Sequence, residues 1–123
     1  MIYRAEVLKT STVVEEEVVA RIKGVEFTGF IAYAPYQVQE NKDYLLEPSL
    51  FLVDDPKIFE NDANEKTLVR KGDTFSYQVK GYLTHEGMLD IGFIIDDEIL
   101  KDYGHFFGRY ISFQVDRIDL DFQ

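Results

Sequence analysis

Cysteine is absent from the chain, which excludes disulfides, thiolate metal ligands, cysteine nucleophiles and thiol redox switching together. Basic residues are scarce as well: 13 Lys and Arg stand against 23 Asp and Glu, a formal net charge of −10. A phosphate backbone is held by clustered cations that displace its counterions, so nucleic acid is not expected as a partner. No apolar run approaches membrane-spanning length, and Met1-Ile2-Tyr3-Arg4-Ala5-Glu6 lacks the basic flank, apolar stretch and small-residue cleavage site of a signal peptide. The expectation is a cytoplasmic protein with no membrane partner.

What is present is enough apolar surface for a core, 46% of residues with 15% aromatic, in a length that suits one domain over residues 1–123. Its most legible part is residues 74–95, where Phe75-Tyr77-Val79 with Leu83 and Leu89-Ile91-Phe93-Ile95 alternate on either side of Thr84-His85-Glu86-Gly87. Successive strand side chains point to opposite faces, so this reads as a β-hairpin with one apolar row. A second hairpin is expected at Lys23-Gly24, with Ile22 facing Val25 and Ala20 facing Phe27.

Residues 34–47, punctuated by Pro35, Asn41-Lys42-Asp43 and Glu47-Pro48, read as a long connection, and Ser49–Val53 as a short buried strand. Short helical turns are expected near 56–60, started by Asp55-Pro56, and at 97–103, started by Asp96-Asp97-Glu98. Ile111-Phe113-Val115 and Ile118-Leu120-Phe122 alternate in opposite phases, which predicts a β-bulge at Asp116-Arg117. The fold class is therefore all-β: a small antiparallel barrel or two-sheet sandwich with one or two short helical turns. The run Gly108-Arg109-Tyr110-Ile111-Ser112-Phe113-Gln114-Val115 and the Lys71-Gly72-Asp73 turn resemble strand entries of small barrels such as the OB-fold, a likeness of architecture only.

Motifs for chemistry are weak. No Gly-x-Ser-x-Gly elbow presents Ser76 or Ser112 as a nucleophile, the glycines are too scattered to cradle phosphate, and the segment from Asp62 fails as a calcium loop because Thr67 stands where glycine is required. No metal or cofactor is expected. His85 and His105 lie in turns, where imidazoles are solvated.

Two functional readings follow. The first is a non-catalytic protein-interaction module, an inhibitor or immunity-type protein against a basic partner. It rests on the acidity after residue 84, where nine acids face three bases. Its surface is Asp96, Asp97, Glu98, Asp102, Asp116, Asp119 and Asp121, acting by electrostatic steering. The second is a small-ligand-binding or catalytic β-barrel with Tyr33, Tyr36, Tyr82, His85 and His105 around a pocket mouth. Oligomeric state is open, since long sheet edges pair unless charged or covered.

Overall fold

Alternation of apolar and polar side chains builds two sheets in the computed structural model, which describes residues 1–123. The strands are β1 (Tyr3–Thr10), β2 (Glu17–Ile22), β3 (Val25–Tyr33), β4 (Lys42–Phe51), β5 (Phe59–Glu60), β6 (Thr67–Arg70), β7 (Tyr77–Leu83), β8 (Leu89–Asp90), β9 (Ile94–Ile95), β10 (Arg109–Val115) and β11 (Arg117–Phe122). Five of them close a barrel in the order β1-β2-β3-β11-β4, with β4 returning to β1. Every pairing in it is antiparallel except β11 with β3. Val18, Ala20 and Ile22 from β2 and Ile118, Leu120 and Phe122 from β11 point inward and are buried.

The remaining strands form a second sheet centred on β7, which pairs with β10 along one edge and with β6 and β8 along the other; β5 flanks β10 and β9 flanks β8. Its inward row includes Tyr77, Val79, Leu83, Ile111, Phe113 and Val115, and both sheets feed one cluster of 22 buried apolar residues. The fold is all-β with a five-stranded barrel, and no helix is long and apolar enough to cross a membrane.

Three contacts weld the sheets. Phe93 wedges its ring near Tyr3 and Phe27, with centroids 5.6 and 5.8 Å away. The Tyr77 hydroxyl accepts a hydrogen bond from the Thr28 N–H at 2.7 Å. The Tyr3 hydroxyl donates to the Ile94 carbonyl at 2.7 Å and accepts from the Ile94 N–H at 2.9 Å, taking the place of a neighbouring strand for β9.

The Lys23-Gly24 hairpin has the expected pairs Ile22↔Val25 and Ala20↔Phe27, and positive φ at both turn residues, 48° and 80°, gives the turn whose twist matches its strands. The hairpin at 74–95 exists but is shorter than expected. β7 meets the returning chain only at Tyr82↔Asp90 and Leu83↔Leu89, because Gly92, at φ 108°, turns the chain back on itself to form β9. The apolar alternation survives that turn, which is why Ile91, Phe93 and Ile95 are all buried.

Other expectations are corrected. The connection after β3 ends at Asn41, and β4 is one strand through Pro48 instead of a short strand at Ser49–Val53. Proline is tolerated there because Gln123 N–H donates to the Leu45 carbonyl at 2.9 Å, which sets the odd-numbered residues of β4 as the ones bonded to β11. The nitrogen of Pro48 faces the β1 side, where pairing has stopped at Tyr3↔Leu46. No helix forms at 56–60. The helical turns are single 3-10 turns at Glu98–Leu100 and Gly104–Phe106, the first capped by the Asp97 carboxylate on the Ile99 N–H at 3.1 Å.

The expected phase switch at Asp116-Arg117 is also a change of sheet: β10 belongs to the second sheet and β11 to the barrel, and Asp116 is the extra residue, its N–H bonded to the Phe51 carbonyl while Arg117 is the residue paired with Phe51. The residues that resembled OB-fold strand entries, 71–73 and 108–115, accordingly lie outside the barrel. Phe93→Ala should cost about 3–5 kcal/mol, since it empties the wedge between the sheets. An unchanged urea midpoint would show that the wedge carries no load.

Candidate functional site

The largest concavity, about 460 Å³, opens at one end of the barrel between the β1–β2 loop and the chain after β3. Thr10, Ser11, Glu15 and Glu16 form one wall, and the stretch from Ile31 to Ala34 with Tyr36, Gln37 and Val38 forms the other; no Lys, Arg or His lines it. Hydrogen bonds within and between the walls hold the groove. Ser11 Oγ accepts from the Val13 and Val14 N–H groups at 3.2 and 3.0 Å, and the Ile31 N–H donates to the Glu16 carbonyl at 2.8 Å. On the other side Glu40 accepts from the Thr10 N–H at 2.9 Å, and the Tyr44 hydroxyl accepts from the Gln39 N–H at 2.8 Å.

Tyr36 stacks on Tyr44 at 5.4 Å, with its edge toward Phe122, and its hydroxyl donates to the Gln123 carbonyl at 3.0 Å. Desolvation, with the Tyr44 phenol as a second cause, raises the Tyr36 pKa. Tyr36 and Tyr44 thus pin the 34–41 segment to the barrel, which leaves the groove preformed. Tyr33 is largely exposed on the groove wall.

Of the five aromatic and imidazole residues expected around one mouth, the structure brings together Tyr33 and Tyr36 only. Tyr82 packs on Tyr110 of β10 at 5.1 Å in the second sheet. The His85 ring covers the backbone of Gly108, and the His105 ring lies tilted against Phe106, centroids 4.3 Å apart. Phe106 and Phe107, between Gly104 and Gly108, pack against the core from a tight turn.

The seven acids expected to form one face are divided by their bonds. Asp97 accepts from the Leu50 N–H at 2.8 Å, Asp116 from the Val53 N–H at 2.8 Å, and Asp119 from Arg117 Nε at 2.7 Å. Asp96 is paired with Lys101 at 2.8 Å, and that hydrogen bond holds its carboxyl below the usual range. Glu98, Asp102 and Asp121 are exposed. Asp119 is no free surface charge, because its partner Arg117 is sandwiched between Phe30 and Phe51, 4.0 and 4.1 Å from their ring centroids. Glu15 and Glu16, absent from the candidates read from the sequence, are the acids that share a concavity with tyrosines. Only the position of the 34–38 chain beside the β1–β2 loop reveals them.

The Lys66–Asp90 ion pair, outside the groove, is shifted at both partners. Burial would raise the Asp90 pKa, but the hydrogen bond from Lys66 at 2.8 Å, the Gly92 N–H at 2.9 Å and the Lys66 charge together bring it down. The same hydrogen bond raises Lys66.

A family model, described as "Uncharacterised conserved protein UCP019853", matches residues 1–123. No curated protein and no solved structure matches the chain.

Two outcomes are expected. Asp119→Lys should destabilise the fold by about 1.5–3 kcal/mol, the value of a hydrogen bond to a charged group, whereas Asp121→Lys should stay within about 0.5 kcal/mol; urea midpoints compare them. Because Asp90 is depressed on folding, its contribution is present above the ordinary carboxylate pKa of about 3.9 and lost as pH falls through the lower folded value. Asp90→Asn should therefore be less stable than the parent at pH 7, and the gap should close on acidification, as urea titrations across the acid range will register. The raised Lys66 gives the matching alkaline limb, stability that is full below about pH 10 and lost above its folded pKa.

Proposed function

We propose, from the premise that the chain belongs to this family over its full length, that it is a non-catalytic interaction module for a basic protein, taken to be cytoplasmic. The observation that carries the reading is the barrel-end groove, where Glu15 and Glu16 share a preformed cavity with Tyr33 and Tyr36 and no cation competes for them. A lysine or arginine side chain entering it meets carboxylates for charge and phenol faces for its apolar stem and cation–π attraction. The net charge of −10, with Glu98, Asp102 and Asp121 exposed, supports the reading by drawing a basic partner in before contact. An inhibitor or immunity-type role is the concrete form that fits a rigid acidic surface. The tyrosine part of the pocket reading is absorbed into the same groove.

An oligolysine peptide is the probe. Its binding should weaken as the Debye length falls from about 10 Å at 0.1 M salt to about 3 Å at 1 M. Neutralising the groove by Glu15→Gln with Glu16→Gln should cost about tenfold in affinity, equivalent to ~1.4 kcal/mol. Equal binding by the parent and the double variant at low salt would remove the groove as the recognition surface.

A further inference from the structure

A second concavity, independent of the groove, lies at the edge of the second sheet. The chain leaves β10 where the Asp116 N–H donates to the Phe51 carbonyl at 2.9 Å and rejoins it where Phe59 pairs with Ser112. Between these closures it bows outward, pinned by the Val53 N–H on the Asp116 carboxylate at 2.8 Å and by the Tyr103 hydroxyl on the Pro56 carbonyl at 3.3 Å. The bow encloses a cleft of about 290 Å³. Because the protein's own chain closes both ends, and the volume is at the small end of the range for ligand pockets, the cleft suits one small molecule and not a strand.

Its lining mixes donors and acceptors that the fold leaves unused. Gln78 spends an amide hydrogen on Ser112 Oγ at 2.8 Å and keeps its carbonyl free, whereas Gln114 accepts from Lys71 Nζ at 2.7 Å and keeps its amide hydrogens. Backbone polar groups alternate sides along an antiparallel strand, and the Asn61 N–H on the Tyr110 carbonyl shows that the even-numbered residues of β10 turn theirs away from β7. Gln114 therefore adds a main-chain N–H and C=O on this side, neither with a partner there. Asp54, Asp55 and Lys57 stand outside the ion pairs of the protein. Phe59, 66% exposed, contributes an open aromatic face to the same cleft.

This chemistry selects among ligands. A phosphate-bearing molecule would meet three carboxylates, those of Asp54, Asp55 and Asp116, against the one cation Lys57, and these acids do not gather into a metal-ligating group. A purely apolar molecule would strip water from the amides and carboxylates and give nothing back. We propose that the cleft binds an uncharged pyranose ring. Its hydroxyls donate to the aspartates and the Gln78 carbonyl and accept from Lys57 and the Gln114 amide hydrogens, and its C–H face lies on the negative face of the Phe59 ring. The inference does not rest on the barrel-end groove.

The probes are glucose, galactose and mannose with their methyl glycosides, titrated into isotope-labelled protein and followed by NMR. At least one of them should shift the backbone amide of Gln114 and the side-chain amides of Gln78 and Gln114 in a saturable way, and the corresponding uronic acid, which adds a carboxylate to the same ring, should bind at least tenfold more weakly. Loss of binding on methylating the anomeric hydroxyl would assign a free sugar and retention a glycan end, and either supports the site. No saturable shift from any of the sugars, equal binding of the uronic acid, or displacement of the sugar by cyclohexylamine at matching concentration, the mark of a cation site, would overturn the proposal. Glu15→Gln with Glu16→Gln should leave sugar binding unchanged, which separates failure here from failure of the groove. Phe59→Ala should weaken binding at least tenfold; if that variant does not fold, Asp54→Ala with Asp55→Ala should do the same, and undiminished binding in the variant used would refute the site.

Discussion

The passage from Val115 to Arg117 is the constraint on which the molecule depends. Within it the chain leaves the second sheet and enters the barrel, so two sheets that could have been separate layers are covalently continuous and must share a core. Asp116 makes the turn stable with both ends of the residue, its N–H donating to the Phe51 carbonyl at 2.9 Å and its carboxylate receiving the Val53 N–H at 2.8 Å. β11 then sits between β3 and β4 and closes the barrel, in parallel with the first and antiparallel with the second. The Phe93 wedge and the Tyr77–Thr28 bond are consequences of that closeness, for neither could form if the sheets were free to part.

Legibility in the sequence followed the range of the interaction involved. The Lys23-Gly24 hairpin was readable to the residue because its turn and its register are set by neighbours in the chain. The buried rows through Tyr77 and Val79 and through Ile111, Phe113 and Val115 were readable for the same reason, since period-two alternation records which face is dry. Strand partners were not. The phase change at Asp116-Arg117 has the same signature whether the extra residue bulges within one sheet or carries the chain to another, and only the tertiary arrangement separates the two. Pro48 misled by the ordinary rule that proline breaks strands, which fails where the side of the strand it disables has no neighbour to lose.

The candidate surfaces divide along the same line. Composition gives a net charge of −10, but it could not separate carboxylates engaged with backbone or arginine from those left to solvent. Asp97, Asp116 and Asp119 are engaged with the fold, while Glu15 and Glu16 gain their significance from loops far apart in sequence. The histidines and Tyr82 were grouped with Tyr33 and Tyr36 because amphipathic residues in turns look alike on paper. The structure divides them between a barrel end and a sheet that share no opening.

The double hydrogen bond between the Tyr3 hydroxyl and Ile94 bears on self-assembly. An uncovered β9 would offer its N–H and C=O to β9 of another molecule, and such contacts can be repeated without end. By satisfying both groups from a side chain in the barrel, Tyr3 acts as a stopper on that margin of the sheet. That margin of the sheet is thus closed at Ile94 by the molecule itself, with neither backbone group left to pair with a second copy.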